Sequence, residues 1–299
     1  ENRDLLSVIH ALEELILLWA APGDECFVGI GIPGFVDSER RRILRLTNFV
    51  GCDGVLLGKI ISANLKARGV RVDVRLENDA NCAALGEELA GAARGMRDYV
   101  VLTLGTGIGA GIVANGRLLT GAHGMAAECG HMAVSGDPLL CRCGCGGRGH
   151  LEELASADWI ERRAGAAGLP PIFREVWEMR HANTEAAALL EPALEALARG
   201  ISSLAVTLDP EAVILSGGMS HAAGLAAAAW AAGRTCEGEK GRPSRIAPER
   251  EGEALLALRR AMGERCLLGR TDEGLREMLR LLDEHFAGKR DNSRKIWTV

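Results

Sequence analysis

Residues 99–119 read YVVLTLGTGIGAGIVANGRLL, and their pattern is the most informative in the chain about its fold. Its apolar start, Tyr99–Leu104, is typical of a buried strand that opens onto a glycine-rich turn. Asn115-Gly116, between two short apolar segments, predicts a β-hairpin, so a strand follows the glycines. A dinucleotide-binding fingerprint would require a helix at this point. The stretch therefore predicts two strands joined by a glycine turn and excludes that fingerprint.

The glycines of this turn indicate a phosphate site. Gly105, Gly107, Gly109 and Gly111 alternate with other residues, and four alternating glycines are more than a tight turn needs. Successive backbone N–H groups that are not shielded by side chains form a nest for anions. A turn without a ligand stays an alternative. The phosphate-binding Walker A pattern does not occur in the sequence.

Working outward, strands and helices alternate along the chain. Helices are predicted at 2–21, 56–68, 80–94, 152–167 and 185–208, and strands at 26–32, 72–76, 99–104, 111–114, 117–119 and 212–215. This alternation predicts an α/β protein with helices on both faces of mixed sheets.

Composition narrows the class of protein. The net charge of -5 lacks the basic character of a nucleic-acid-binding surface, and no secretory signal or membrane span is visible. The nine cysteines are unevenly spread, with Cys141, Cys143 and Cys145 clustered. This distribution indicates a reducing, cytoplasmic compartment and a metal site.

A polar motif, Glu77-Asn78-Asp79-Ala80-Asn81, follows the strand predicted at 72–76 and begins a helix. Ligands in α/β folds collect at the carboxyl ends of strands. Asp79 is therefore a candidate general base that would activate a hydroxyl for attack on a phosphoryl group. The alternative is that Asn78 or Asp79 only caps the helix.

The segment 128–152 contains a candidate zinc site. His131, Cys143, Cys145 and His150 supply the four nitrogen or sulfur ligands of a structural zinc ion, and glycines between them allow a tight loop. A disulfide or free buried thiols remain alternatives, and Cys141 is a further candidate ligand.

Together these motifs resemble the ROK family of sugar kinases and sugar-responsive repressors. The matching order is Gly31–Gly34, Glu77–Asn81, Leu104–Gly109, Glu128-Cys-Gly-His131, the cysteine motif, and Asp209-Pro210 followed by Gly217-Gly218. The family signature Cys-x-Cys-Gly-x-x-Gly-Cys-x-Glu aligns from Cys143 to Glu152. His150 then stands in the place of the last cysteine, and histidine can still bind zinc.

The resemblance implies an actin-like, ribonuclease H-like ATPase fold of two α/β domains with a cleft between them. We expect a smaller domain at 1–79 and a larger one with the zinc site at 80–299. The implied reaction is ATP-dependent phosphorylation of a hexose, glucose first, with Mg²⁺ accompanying ATP and homodimers or homotetramers as the assembly. The implied contacts are Asn78, Glu128, His131 and Glu152 to the sugar, Gly105, Thr106, Gly107 and Gly109 to the phosphates, and Gly217 and Gly218 to adenosine.

Two segments depart from the family pattern. The Asp-x-Gly-Gly-Thr phosphate loop of family kinases does not precede Gly31, so we expect the smaller domain to lack its first strands. The tail from about residue 235 matches no family segment. A sugar-sensing regulator and a catalytically inactive sugar-binding remnant therefore stay as alternatives to the kinase.

Overall fold

A computed structural model describes residues 5–46, 51–136, 143–236 and 295–298. The chain divides into two compact units. The described part of the first unit comprises 5–46, 51–82, 120–125 and 295–298, and that of the second comprises 83–119, 126–136 and 143–236. Cys141 and almost all of the tail from residue 235 lie outside the described residues.

The helices and strands are numbered in chain order. The helices are α1 (Leu5–Leu17), α2 (Leu57–Ala67), α3 (Asp79–Ala90), α4 (Glu152–Ala155), α5 (Ala157–Ala166), α6 (Phe173–Met179), α7 (Thr184–Leu208) and α8 (Leu225–Cys236). The strands are β1 (Glu25–Ile32), β2 (Gly34–Val36), β3 (Ile43–Leu46), β4 (Arg71–Asn78), β5 (Tyr99–Leu104), β6 (Ile108–Ala114), β7 (Arg117–Leu118), β8 (Ala212–Ser216) and β9 (Lys295–Thr298). Within the described residues, no helix has both the length and the apolar character needed to cross a membrane.

The first unit is built on a parallel sheet with strand order β4-β1-β9. Alternate residues of β1 are buried, as expected for a strand that packs one face on a core. Ile61 and Leu65 of α2 are fully buried in that core. The register pairs Ile32 with Asn78, so the carboxyl ends of β1 and β4 meet at one edge of the sheet.

The second unit is built on a mixed sheet with strand order β7-β6-β5-β8. β5 is antiparallel to β6 and parallel to β8. Five of its six side chains are fully buried, and Thr103 is half-buried. Thr103 pairs with Ser216, which brings Gly217 beside Leu104. Gly217 has a φ of 85°, and a Cβ there would overlap the backbone of Leu104, so only glycine fits.

Several boundaries differ from the sequence predictions. β6 already begins at Ile108, so Gly109 pairs with Thr103 inside the ladder and the glycine turn is shorter than predicted. The helix predicted at 152–167 is two helices, because Ser156 leaves the helical conformation and its hydroxyl accepts the N–H of Trp159 at 3.3 Å. α6 was not predicted, since seven residues carry too little periodicity.

The central position of β5 generates a stability prediction. Leu102 is fully buried, whereas the side chain of Val206 on α7 is 84% exposed. We expect Leu102→Ala to lower the free energy of unfolding by about 2–5 kcal/mol, because the lost contacts leave a cavity. Val206→Ala should change it by no more than about 0.5 kcal/mol. Urea unfolding followed by circular dichroism checks both values, and equal midpoints for the two variants would contradict the assignment of the core.

Candidate active site and metal centre

The junction of β4 and α3 carries the first group of polar side chains. Asn78 Oδ1 accepts the backbone N–H groups of Ala80 at 2.9 Å and Asn81 at 3.1 Å. Its Nδ2 donates to the carbonyl oxygen of Gly34 at 3.2 Å. Of the two candidate caps left open by the sequence, Asn78 thus satisfies the N-terminus of the helix.

Asp79 is the first residue of α3 and its side chain is exposed. Desolvation by the surrounding protein raises the pKa of Asp79 above its ordinary value, while the backbone N–H groups of Ala80 and of Asp79 itself oppose the shift. Asp79 Oδ1 shares the N–H of Ala80 with Asn78, at 2.9 Å, so its second carboxylate oxygen is the one available for proton transfer. A raised pKa also makes it a better proton acceptor than an ordinary aspartate.

Glu77 stabilises this junction through its carboxylate, a role that the sequence did not reveal. Its Oε1 accepts the N–H of Asn78 at 3.0 Å and the side-chain amide of Asn81 at 2.9 Å. Its Oε2 forms an ion pair with Arg40 at 2.7 Å. Arg40 has a φ of 57° and its carbonyl oxygen accepts the N–H of Leu76. The buried carboxylate therefore holds the strand end in place, and the only sequence signal was a glutamate directly before Asn78.

The glycine turn between β5 and β6 is held by residues of the α4–α5 segment. The N–H of Ile108 donates to Glu152 Oε2 at 2.9 Å. A Cβ at Gly107 would overlap the same carboxylate, so a side chain there would displace Glu152 from the turn. The N–H of Ala157 donates to the carbonyl oxygen of Gly105 at 2.9 Å. Glu152, which the family resemblance assigns to the sugar, thus contacts the turn assigned to the phosphates.

Four potential metal ligands of the second unit converge. The ligand atoms of His131, Cys143, Cys145 and His150 all lie within 4.8 Å of one another. His131 Nδ1 is 3.3 Å from Cys143 Sγ, and His150 Nδ1 is 3.4 Å from Cys145 Sγ. Tetrahedral zinc with ordinary bond lengths places its ligand atoms roughly 3.3–3.8 Å apart. The donor set of two sulfurs and two imidazole nitrogens fits zinc, and its spacing is close to what the ion requires.

Backbone turns bring these ligands together. Cys143 donates its N–H to Gly147 at 2.9 Å, and Gly146 donates to Cys143 at 2.7 Å, so the two cysteines lie on one tight loop. Gly146 and Gly149 have φ values of 94° and 69°, which favour glycine. His150 forms an isolated antiparallel bridge with Ala133, which ties the loop to the chain that follows His131.

The electrostatics of this centre favour a cation. Burial, as the largest cause, raises the pKa of the Cys143 thiol to about 11, with the thiol of Cys145 adding to the shift. A coordinated divalent cation deprotonates thiols outright. His131 Nε2 lies 3.8 Å from Glu128 Oε2, so one ring nitrogen faces the sulfur and the other a carboxylate. That arrangement is typical of metal-ligating histidines. Cys143 and Cys145 are free thiols, so the disulfide alternative is not formed between them.

The predicted site residues form two groups, one in each unit. Asn78 and Asp79 stand at the β4–α3 junction of the first unit, and Glu128, His131, Glu152 and the other metal ligands lie in the second unit with the glycine turn and Gly217. Each group is assembled within its own unit by the contacts described above.

Comparisons with known proteins agree on one family. The profile of the ROK family matches residues 6–236. A glucokinase of Thermotoga maritima is 38% identical over 231 residues, which cover 72% of this chain and 71% of that protein.

Two solved structures extend the similarity to the fold. A ROK hexokinase from Thermus thermophilus is 31% identical, with a TM-score of 0.67 over 88% of each chain. A ROK family glucokinase from Streptomyces griseus, in complex with glucose and AMPPNP, is 28% identical, with a TM-score of 0.63 over 87% of this chain and 89% of that one. These similarities confirm the α/β, actin-like kinase fold predicted from the sequence.

Two glycines of the metal-binding loop at 143–150 differ in whether a side chain would fit. Gly149 has a φ of 69°, and a Cβ there would overlap the carbonyl oxygen of Ser135, whereas Gly144 has open space around it. We expect Gly149→Ala to lose at least half of its bound zinc on dialysis, because the left-handed conformation costs about 1–2 kcal/mol and the loop must shift. Gly144→Ala is the matched control and should retain the metal. Zinc per protein, measured by atomic emission, checks this, and equal retention by both variants would contradict it.

Proposed function

The chain belongs to the ROK family, and from that premise we propose that it transfers the γ-phosphoryl group of ATP to a primary hydroxyl of a hexose, with glucose the first candidate. The similar protein of Thermotoga maritima is named a glucokinase, and the similar structure from Streptomyces griseus contains glucose with AMPPNP. Because related sugars differ from glucose at single substituents, the panel for testing must include other hexoses and N-acetylated amino sugars.

The observation that carries this proposal is Asp79 at the carboxyl end of β4. Its neighbour Asn78 caps α3, Glu77 holds the strand end, and desolvation raises the pKa of the Asp79 carboxyl. A base in that position accepts the proton of a sugar hydroxyl as the oxygen attacks the phosphoryl group. In this proposal Asp79 is the catalytic base, and the residues around it maintain its position.

Polar side chains would orient the sugar. Glu128 and Glu152 carry carboxylate oxygens that accept hydrogen bonds from hydroxyl groups, and Asn78 and His131 can donate or accept. Hydrogen bonds of this kind would hold the sugar hydroxyls in fixed positions. Such positioning accounts for much of the acceleration available to a kinase.

The glycine turn would receive the nucleotide. Gly105, Thr106, Gly107 and Gly109 are assigned to the ATP phosphates, and Gly217 and Gly218 to adenosine. The turn lacks side chains at Gly105 and Gly107, and Gly217 lies directly beside Leu104 at the same end of the sheet. When bound with ATP, Mg²⁺ would neutralise charge on the phosphate oxygens.

The zinc ion has a structural role in this proposal. The residues of the centre are His131, Cys143, Cys145 and His150, and the loop they close immediately precedes Glu152. Glu152 in turn contacts the glycine turn through Ile108. Metal binding would therefore stabilise the sugar-binding and phosphate-binding residues without taking part in the reaction.

A coupled assay tests the proposal directly. The full-length gene product is assayed with Mg²⁺ and ATP across hexoses and N-acetylated amino sugars. We expect turnover with glucose, and Asp79→Asn should lower kcat by at least about 10²–10⁴-fold, because the hydroxyl loses its base. Asp158→Asn, which removes an exposed ion pair with Arg162 on α5, is the matched control and should keep wild-type activity. Sugar binding without turnover of any sugar would favour the sensor or remnant instead.

The pH dependence provides a second test of Asp79. The base must be ionised, so kcat/KM should fall as the pH drops through the raised pKa of Asp79. The midpoint of that fall should lie above the pKa of about 3.9 that an ordinary aspartate has. The raised pKa also means that protonation of Asp79 favours the folded state. That contribution is present below the unfolded pKa and is lost as the pH rises through the folded one.

At pH 7, Asp79→Asn should therefore melt at the same temperature as the wild type or higher, despite its loss of activity. Thermal melting at pH 7 and pH–rate profiles check the two expectations. A variant that is inactive because it is destabilised would show that the residue has a structural role.

A further inference from the structure

Glu152 is the residue at which the groups assigned to the two substrates meet. Its Oε2 accepts the N–H of Ile108 at 2.9 Å, directly after the turn that is assigned to the phosphates. Among the residues that the structure describes, its Oε1 has no hydrogen-bond partner. One oxygen of this carboxylate is therefore bonded to the protein, and the other can accept a hydrogen bond from a hydroxyl group.

Ile108 is contacted from a second side by the segment that carries Glu128 and His131. Gly130 lies between those two residues, and a Cβ on it would overlap the carbonyl oxygen of Ile108. The same Cβ would lie 3.5 Å from the Cβ of Glu152. The residues assigned to the sugar therefore come from two parts of the chain that both pack against Ile108.

The turn that precedes Ile108 offers two backbone donors to an anion. The N–H of Gly105 donates to the carbonyl oxygen of Gly107 at 3.0 Å, and the carbonyl oxygen of Gly105 accepts the N–H of Ala157 at 2.9 Å. Within the described part of the chain, the N–H groups of Thr106 and Gly107 have no acceptor. These two successive donors are available to a phosphate, and the residue that follows them is fixed by its bond to the carboxylate.

We infer that Glu152 couples the two binding events, with Oε1 accepting a sugar hydroxyl while Oε2 holds the phosphate turn, so that sugar and nucleotide bind with positive cooperativity. This inference rests on the proposed kinase function. A hydroxyl bonded to Oε1 restricts the torsions of the Glu152 side chain, so the bond to Ile108 is already ordered when the phosphates arrive. Less conformational entropy is then lost on nucleotide binding. Towards the nucleotide Glu152 is a positioning residue, because it acts through Ile108.

Binding of the non-hydrolysable ATP analogue AMPPNP to the full chain with Mg²⁺, measured by isothermal titration calorimetry, tests the coupling. We expect saturating glucose, or the best substrate of the panel if that is another sugar, to lower the Kd for AMPPNP at least about 5-fold. Glu152→Ala should bind AMPPNP about 10-fold more weakly and should reduce the effect of the sugar to less than about 2-fold. Glu152→Gln retains an acceptor oxygen for Ile108 and should recover part of both losses. Glu191→Ala, at an exposed position on α7, is the matched control and should behave like the wild type.

A second pair of variants separates this contact from a direct role of Gly107 in phosphate binding. The nearest neighbours of a Cβ at Gly107 would all be atoms of the Glu152 side chain. We expect Gly107→Ala to displace the carboxylate and to lose the coupling as Glu152→Ala does. Without the carboxylate the added methyl group has room, so the double variant should bind AMPPNP within about 2-fold of Glu152→Ala alone. Gly86→Ala, on α3 where a Cβ would meet nothing, is the matched glycine control.

Hydrogen exchange provides a readout that does not depend on nucleotide affinity. The sugar alone should slow exchange of the Ile108 amide hydrogen in the wild type, because its acceptor becomes better ordered. In Glu152→Ala the sugar should leave that exchange rate unchanged, since the acceptor is absent.

The inference is overturned if the sugar leaves the Kd of the wild type for AMPPNP unchanged, or if Glu152→Ala keeps the full coupling. Additive losses in the double variant would also overturn it, since Gly107→Ala would then act on the phosphate directly. Failure to phosphorylate any sugar while the coupling persists would overturn the kinase proposal alone, and a wild type that binds neither ligand would overturn both. Thermal melting of each variant confirms that folded proteins are compared.

Discussion

The hydrogen bond between the N–H of Ile108 and the carboxylate of Glu152 connects the parts of the second unit that carry its chemistry. It joins the glycine turn at the end of β5 to the segment that follows the metal loop. A side chain at Gly107 would disturb this hydrogen bond, because the carboxylate occupies the space where a Cβ would lie. A charged acceptor of this kind contributes more than a neutral one, so the turn is held by one of the stronger interactions available to it.

In the first unit, the neighbours of Asp79 carry most of the structural hydrogen bonds at the strand end and the helix start. At the β4–α3 junction the capping task belongs to Asn78, and the buried pair of Glu77 and Arg40 holds the strand end. Asp79 has only a minor part in the capping, since its Oδ1 shares the N–H of Ala80 with Asn78. Its raised pKa shows that the surroundings disfavour its charge, which is a cost in stability commonly found at groups that transfer protons.

The metal centre combines a buried thiol with two histidines, of which His131 faces the carboxylate of Glu128. Cys143 is buried and resists ionisation, so a cation would supply the charge that stabilises its thiolate. Two glycines with positive φ allow the loop to close around the ligands. The stability of this loop matters beyond the metal itself, since Glu152 and its contact with the glycine turn come directly after it.

Much of this molecule is determined by local sequence. The strands and helices around the glycine turn, the zinc-type ligand set and the polar motif at 77–81 could be predicted, because periodicity, turn residues and ligand chemistry act over a few residues. The family resemblance then supplied the fold class. Sequence could not reveal that Glu152 contacts Ile108, 44 residues away, that Arg40 pairs with Glu77, or that Asn78 rather than Asp79 is the cap. These contacts depend on how strands pair and helices pack, so they form between residues that are distant in sequence only when the chain is folded.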